Sequence, residues 1–447
     1  MVIGAGISGL LVARVLSDHF SHVILVEKDL LPATPEPRPG IPQGNHVHAL
    51  FTRGLSALEE LLPGFGAELS RAGGHRIELG RDLVVASRYG WGVRRPGALP
   101  AAGASRPLIE HIIRARVRHL PQVDILDGHR VTGLTGDPER IETVEAQDRT
   151  TGTARTLAAD LVVDAAGRGS AISGWLSALG CPPPPSRTVD ARVGYATRIF
   201  RARPGSDPVG WRACYSLPLG PSTPQGGVLA PIEDNRWIVT LTGAGESRPS
   251  ASDDDFLPFT HTLLTPLIHD FVAAAEALTP VRSSNATANR RRHPERAERL
   301  PGNLLITGDS ACALNPVYAQ GMTVAALGAL ALRDCLADPA GLPGTLGARF
   351  HRAQRAVQDL PWLLATTADS RYRGTTGLRP APHRALLAYG LPRLVRAGTR
   401  DPDAQQRFLA LMAMTAHPAD LIRPRALLTL SPGRPEPAPP RHHRHPR

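Results

Sequence analysis

The chain is almost without lysine: of its 51 Lys and Arg residues only Lys28 is a lysine, so arginine carries nearly all the positive charge. A formal net charge of +11 would by itself point to nucleic acid or an anionic membrane. The densest basic run, NRRRHPERAER (residues 289–299), is interleaved with Glu295 and Glu298 and holds no aromatic residue to stack on a base, so no nucleic-acid partner is expected. Cysteine is scarce too. Cys181, Cys214, Cys312 and Cys335 form no C-x-x-C pair, which argues against a zinc site or a disulfide framework and predicts reduced thiols in a cytoplasmic protein. No apolar run reaches the roughly 20 residues of a membrane helix. The apolar start lacks the basic leading region and cleavage pattern of a signal peptide. A length of 447 residues predicts two or three domains.

What is present begins at once. MVIGAGISGL places Gly4, Gly6 and Gly9 in a G-x-G-x-x-G turn after a short strand and before a helix predicted over Ser8–Leu16. HVILVE follows as a second strand and ends in Glu27, eighteen residues after Gly9, where a carboxylate can accept both hydroxyls of an adenosine ribose. Gly4 allows the tight turn, Gly6 lets the backbone approach a diphosphate, and Gly9 lets helix and strand pack closely. The helix start adds amide donors, with Ser8 in its first turn.

Two later stretches repeat the pattern of a buried strand ending in glycine: Asp164-Ala-Ala-Gly167 and Gly308-Asp309. Asp309 can hold a ribityl hydroxyl, and the helix starting near Gly321 and Met322 can set its dipole against a developing anion. A nicotinamide dinucleotide has no ribityl chain; FAD has one. GAGES (residues 243–247) lacks the third glycine of a second dinucleotide turn. Between these stretches, after CPPPP (residues 181–185), the texture becomes β-rich, with EDNR (residues 233–236) as a hairpin turn. The expected organisation is a first cofactor-binding part over 1–180, a β-rich substrate domain over 181–294, a second cofactor-binding part over 295–345, a helical region over 346–432 and a disordered tail over 433–447.

These stretches, with PQGNHVHAL, SRPLIEHIIR, GYATRIF and GDSACALNPVYAQGMTVAALGALALRDCL, resemble the FAD-dependent monooxygenases of the para-hydroxybenzoate hydroxylase type. More narrowly, they are similar to the actinobacterial flavin epoxidases of polyether ionophore biosynthesis. The resemblance implies a mixed α/β fold: a Rossmann-like FAD-binding domain, an inserted antiparallel substrate sheet and C-terminal helices. It implies FAD bound by Gly4, Gly6, Ser8, Gly9, Glu27, Lys28, Arg38, Gln43, Arg106, Val131, Asp164, Gly167, Gly308, Asp309, Pro316, Gly321 and Met322, with Gln320 also beside the isoalloxazine. It implies insertion of one oxygen from O2, through a flavin hydroperoxide, into a hydrophobic natural product of polyketide or terpenoid type. Alkene epoxidation in secondary metabolism is the leading form. Electrons would come from NAD(P)H or from a separate flavin reductase partner.

Alternatives stay open: aromatic hydroxylation of a polyketide, a flavin-dependent prenyl-chain reductase, or a non-catalytic flavin-binding protein. A halogenase is disfavoured because its active-site lysine is missing; Lys28 follows the ribose-binding acid instead. No metal is expected. His46 and His48 are expected to pack or hydrogen-bond locally, and Cys312 to fill space. The Arg290–Arg292 run is expected either to lend one arginine to the pocket or to be solvated.

Overall fold

The computed structural model describes residues 1–205, 207–338, 345–379 and 382–416. Short runs of Val, Ile and Leu build a five-stranded parallel sheet. Its order is Leu304–Ile306, Val162–Asp164, Val2–Ile3, Val23–Val26, Val123–Leu126. Strands so largely apolar suit a sheet covered on both faces, with the exposed Asp124 on the outermost strand as the exception. The first strand is brief but fully engaged: Val163 N donates to Met1 O at 2.9 Å and Gly4 N to Val26 O at 2.7 Å. The helix Ile7–Leu16 lies against it so closely that a Cβ on Gly9 would stand 1.8 Å from Gly4 O. This central sheet brings the ends of three strands far apart in sequence, at Gly4, Asp164 and Thr307, to the same end of the sheet.

The second sheet is largely antiparallel and runs from Glu276–Ala277 through Val193–Arg201, Arg236–Ala244, Gly226–Ile232 and Ala213–Ser216. It then takes in Leu83–Ser87 and Gly90–Trp91, from the stretch expected to belong to the first cofactor-binding part. Leu83–Ser87 joins in parallel to Ala213–Ser216, a long-range pairing with no local sequence signal. Alternation of side chains gives the sheet two distinct faces. Ala196, Phe200, Leu229, Val239 and Leu241 pack with Phe256, Ile268 and Phe271 of two covering helices. Tyr195, Thr197, Thr240 and Thr242 occupy the other face and are buried. The EDNR hairpin is a tight turn with Asp234 at φ +61 and Asn235 at φ +54, both left-handed, as a type I′ turn requires.

Helices Leu346–Asp369, Pro382–Ala397 and Pro402–Met412 complete the fold. The first of them covers the outer strand of the parallel sheet. Ile306 N donates to His351 Nε2 at 3.1 Å, and Gln354 Nε2 donates to Ile306 O at 2.8 Å. The residue pattern over Ala49–Leu62 predicts one continuous helix; the chain instead forms a strand, Ala49–Leu50, followed by a helix over Thr52–Leu61. Pairing of Leu50 with Ala102 wins over the helical periodicity there. The tail over 433–447 lies outside the described residues.

Candidate cofactor and active site

One cavity of about 680 Å³ opens where the strand ends converge. Its wall contains Gly4, Gly6, Ser8, Glu27, Lys28, Arg38, Gln43, Arg106, Val131, Gly167, Gly308, Asp309, Pro316, Gly321 and Met322. Three residues expected at the cofactor are not in the wall. Gly9 lies behind it as helix–strand packing, and Gln320 is buried with its Oε1 unpartnered. Asp164 is fully buried and serves its own turn: it accepts from Ala166 N at 3.1 Å, Ser170 Oγ at 2.6 Å and Ser310 Oγ at 3.2 Å. Burial pushes its carboxyl above the usual range. Any effect of Asp164 on a ligand is through the Gly167–Gly169 turn that it shapes.

At one end of the cavity, Glu27 Oε2 accepts from Ala5 N at 2.7 Å and Oε1 from Asp29 N at 3.0 Å. Arg38, expected as a direct flavin contact, has a second task. Its guanidinium lies 3.1 Å from Glu27, 3.2 Å from Asp29 and 2.8 Å from Glu110, and donates to Ala5 O at 2.9 Å. Burial works against the charge of Arg38, but Glu110 and Glu27 outweigh it and hold its pKa above the ordinary value. The carboxylate is thereby fixed beside the glycine turn.

Further along, the amides that open the Ile7–Leu16 helix have no intrahelical acceptor and no side-chain cap. Ser8 Oγ beside them is buried and unpartnered. Gly4 sits at φ +100, where a Cβ would meet Ala165 O at 2.6 Å. Asp309 belongs to the wall, 3.9 Å from the Arg168 guanidinium. Desolvation raises its pKa, opposed by Arg168, Arg106 and Arg290. Arg168 also donates to Ala288 O at 2.7 Å and to Leu314 O, pinning the wall. Arg168 carries no signal in the sequence, where the stretch Asp164–Gly167 is read for its acid and its glycine alone. Arg106 Nε is buried without a partner.

A second stretch of wall is built by His46, His48, Ala49, Tyr195, Pro316, Ala319, Gly321 and Met322. The helix Gly321–Ala337 starts here with no side-chain cap. His46 Nδ1 pairs with Thr197 Oγ1 at 2.7 Å, and its ring lies 5.6 Å from that of Tyr195. His48 Nδ1 pairs with His46 O at 2.9 Å. Burial lowers the pKa of His46 to about 4 and that of His48 to about 3, so both rings are neutral. Burial holds the Tyr195 phenol well above its usual value. Among the described residues, no cluster of three or more His, Cys, Asp or Glu could hold a metal.

The arginine run follows neither expectation. Arg290–Arg292 lies in a three-stranded sheet, with Arg291 paired to Asp359 at 2.7 Å and Arg292 donating to Ser310 O at 2.5 Å. None of the three is in the cavity wall.

The residues present suit an extended dinucleotide with a ribityl chain. A fixed carboxylate stands at one end, uncapped helix amides and a glycine turn stand beside it, and Asp309 with Arg106 continues the wall. The unpartnered Ser8 hydroxyl and Arg106 Nε are donors that a polyhydroxylated diphosphate could satisfy.

Comparison with known proteins points the same way. The sequence profile of a family described as FAD binding domain matches residues 1–341. Protein Rv3254 of Mycobacterium tuberculosis is 32% identical over 428 residues, covering 92% of this chain and 88% of that protein. Among solved structures, PqsL, a probable FAD-dependent monooxygenase from Pseudomonas aeruginosa, aligns with a TM-score of 0.61 at 18% identity. That alignment covers 83% of this chain and 96% of the other. The flavin-dependent brominase Bmp2 aligns with a TM-score of 0.66 at 14% identity, covering 92% of each chain. At such identities the two structures share the fold with this chain.

Proposed function

Since the chain belongs to the FAD binding domain family, and FAD is its cofactor, we propose that it is a monooxygenase that adds one oxygen atom from O2 to a hydrophobic alkene. When bound and reduced, the flavin supplies the oxygen-activating chemistry. The protein's part is to bind, orient and keep out water. Glu27, the Ile7 helix start and Asp309 are the residues proposed to hold the adenosine, diphosphate and ribityl portions. Lys28, Val131, Gly167 and Gly308 line the same stretch, and Arg106 and Gln43 border it. The uncapped start of the Gly321 helix, which brings Met322 into the wall, would favour negative charge at the isoalloxazine.

The observation that carries the alkene reading is that, among the described residues, the second stretch of wall holds no carboxylate or lysine, and its two histidines are tied at Nδ1 into hydrogen bonds within the protein. His46 and His48 have lowered pKa values, Tyr195 a raised one, and Glu27 and Asp309 are assigned to the cofactor. A phenol substrate needs a base poised to take its proton; an alkene does not. This favours epoxidation over aromatic hydroxylation and fits a polyketide or terpenoid substrate of secondary metabolism. The fold shared with a brominase does not extend to a lysine in this wall: the one lysine, Lys28, borders Glu27. Reducing equivalents would come from NAD(P)H docking transiently or from a reductase partner.

The test is oxygen uptake and product mass with candidate alkenes. Stoichiometric uptake with a gain of one oxygen is expected. A gain of two hydrogens without coupled uptake would sink the proposal in favour of a prenyl-chain reductase. Asp309→Ala is expected to purify with most of its FAD lost, read from the visible spectrum; normal retention would remove Asp309 from the site.

A further inference from the structure

We propose that Asp369 is a positioning residue, holding the cavity-lining turn Asn315–Ala319 in place through Asn315 and Tyr318. The proposal rests on the reading that this cavity holds FAD. Leu314, Pro316 and Ala319 face the cavity, and Ala319 sits at φ +53, a left-handed conformation that an alanine keeps only when its surroundings impose it. A polar network supplies the constraint. Asn315 N donates to Asn289 Oδ1 at 2.7 Å, Tyr195 OH donates to Asn315 Oδ1, and Val317 N donates to Tyr195 OH at 2.6 Å.

That network ends on one carboxyl. Asn289 Nδ2 donates to Asp369 Oδ2 at 2.5 Å, Tyr318 OH donates to Oδ1 at 2.5 Å, and Asn315 Nδ2 approaches Oδ1 at 3.5 Å. Asp369 is fully buried at the end of the Leu346 helix, and among the described residues no cation pairs with it. A buried carboxyl without a counter-charge is costly to keep. Here it accepts from the three residues that shape the turn.

Burial raises the pKa of Asp369 to about 7, partly offset by the bonds from Tyr318, Asn289 and Asn315, while Asp190 adds to the rise. The titratable groups facing it are Tyr318 from the turn, Tyr195 from the second sheet, Tyr372 beyond the helix, and Asp190. Burial holds all three phenols above their usual value. Near neutral pH, Asp369 is therefore the member of the network that changes charge. Ionised, it can accept all three bonds; protonated, it must donate one proton into a ring of donors, and the turn loosens.

The experiment uses the full chain loaded with FAD. Visible absorption of the bound flavin is followed from pH 5.5 to 8.5 in wild type, Asp369→Asn and Tyr318→Phe, with thermal melts alongside. Wild type should show a single spectral transition centred near pH 7. Asp369→Asn should hold flavin with a flat profile. Tyr318→Phe should move the midpoint upward, because the carboxylate loses a donor. The melts move the other way, because burial penalises the charged form that makes all three bonds. A carboxyl with a raised folded pKa stabilises below its unfolded pKa, and that stability is lost as pH rises through about 7. Wild type should lose melting temperature over that range and Asp369→Asn should lose less. A wild-type transition that survives in Asp369→Asn overturns the proposal. If that variant does not fold, an unmoved midpoint in Tyr318→Phe overturns it equally. A wild-type chain that takes up no flavin sinks the cofactor reading itself, and this proposal with it.

Discussion

Arg38 shows what a single residue contributes that its position in the chain conceals. It reaches Asp29, nine residues on one side, Glu27 beyond it, and Glu110, seventy-two residues on the other, all buried. Removing one partner of a buried ionic group leaves uncompensated charge, at a cost of about 3–5 kcal/mol. Arg38→Ala should therefore cost stability of that order in denaturant unfolding. It should also weaken FAD retention, because Glu27 would lose the cation that holds it beside the glycine turn. Unchanged stability would mean that the three carboxyls accommodate one another by taking up protons. Glu27 could be picked from the sequence because it ends the apolar strand that follows the glycine turn, and Asp309 because it follows an apolar strand that ends in glycine. Arg168, Asn315 and Asp369 could not, because their partners lie on other elements.

Among the elements, the Gly226–Ile232 and Arg236–Ala244 hairpin was the most legible. EDNR supplies two residues that tolerate left-handed backbone between two runs of alternating side chains. Asn235→Gly should be neutral or slightly stabilising. Asn235→Val places a β-branched residue at φ +54 and should cost about 1–3 kcal/mol. Chemical denaturation of the two variants checks the pair, and equal stabilities would mean that the turn relaxes out of its left-handed form. Leu83–Ser87 and Gly90–Trp91 were illegible as parts of the second sheet, since a strand's neighbours are set by packing and not by its own residues. Ala49–Leu50 was misread as helix for the same reason.

For the whole molecule, the C-terminal helices are part of the cofactor-binding fold, although the family profile ends at residue 341. His351 and Gln354 satisfy backbone groups of the edge strand Leu304–Ile306, and Asp369 reaches the turn at the cavity. A chain ending at residue 345 would leave that strand's hydrogen-bonding edge bare, a template for aggregation. Such a chain is expected to be largely insoluble, and its soluble fraction to lack flavin; a soluble, yellow product would show that the helices are dispensable.

The sequence by itself determined the dinucleotide turn, the acid that follows it, the late Gly308-Asp309 strand end and the hairpin. Each depends on residues within one turn, one strand or one strand–helix–strand unit, where backbone geometry and side-chain chemistry act over short stretches of chain. Tertiary structure alone decided that Asp164 shapes its own turn, that Arg38 braces Glu27, that Arg291 and Arg292 are buried, and that one carboxyl from the last third of the chain governs a turn at the cavity. These are contacts between side chains tens to hundreds of residues apart, and only the packing of the sheets and helices brings their atoms within hydrogen-bonding distance.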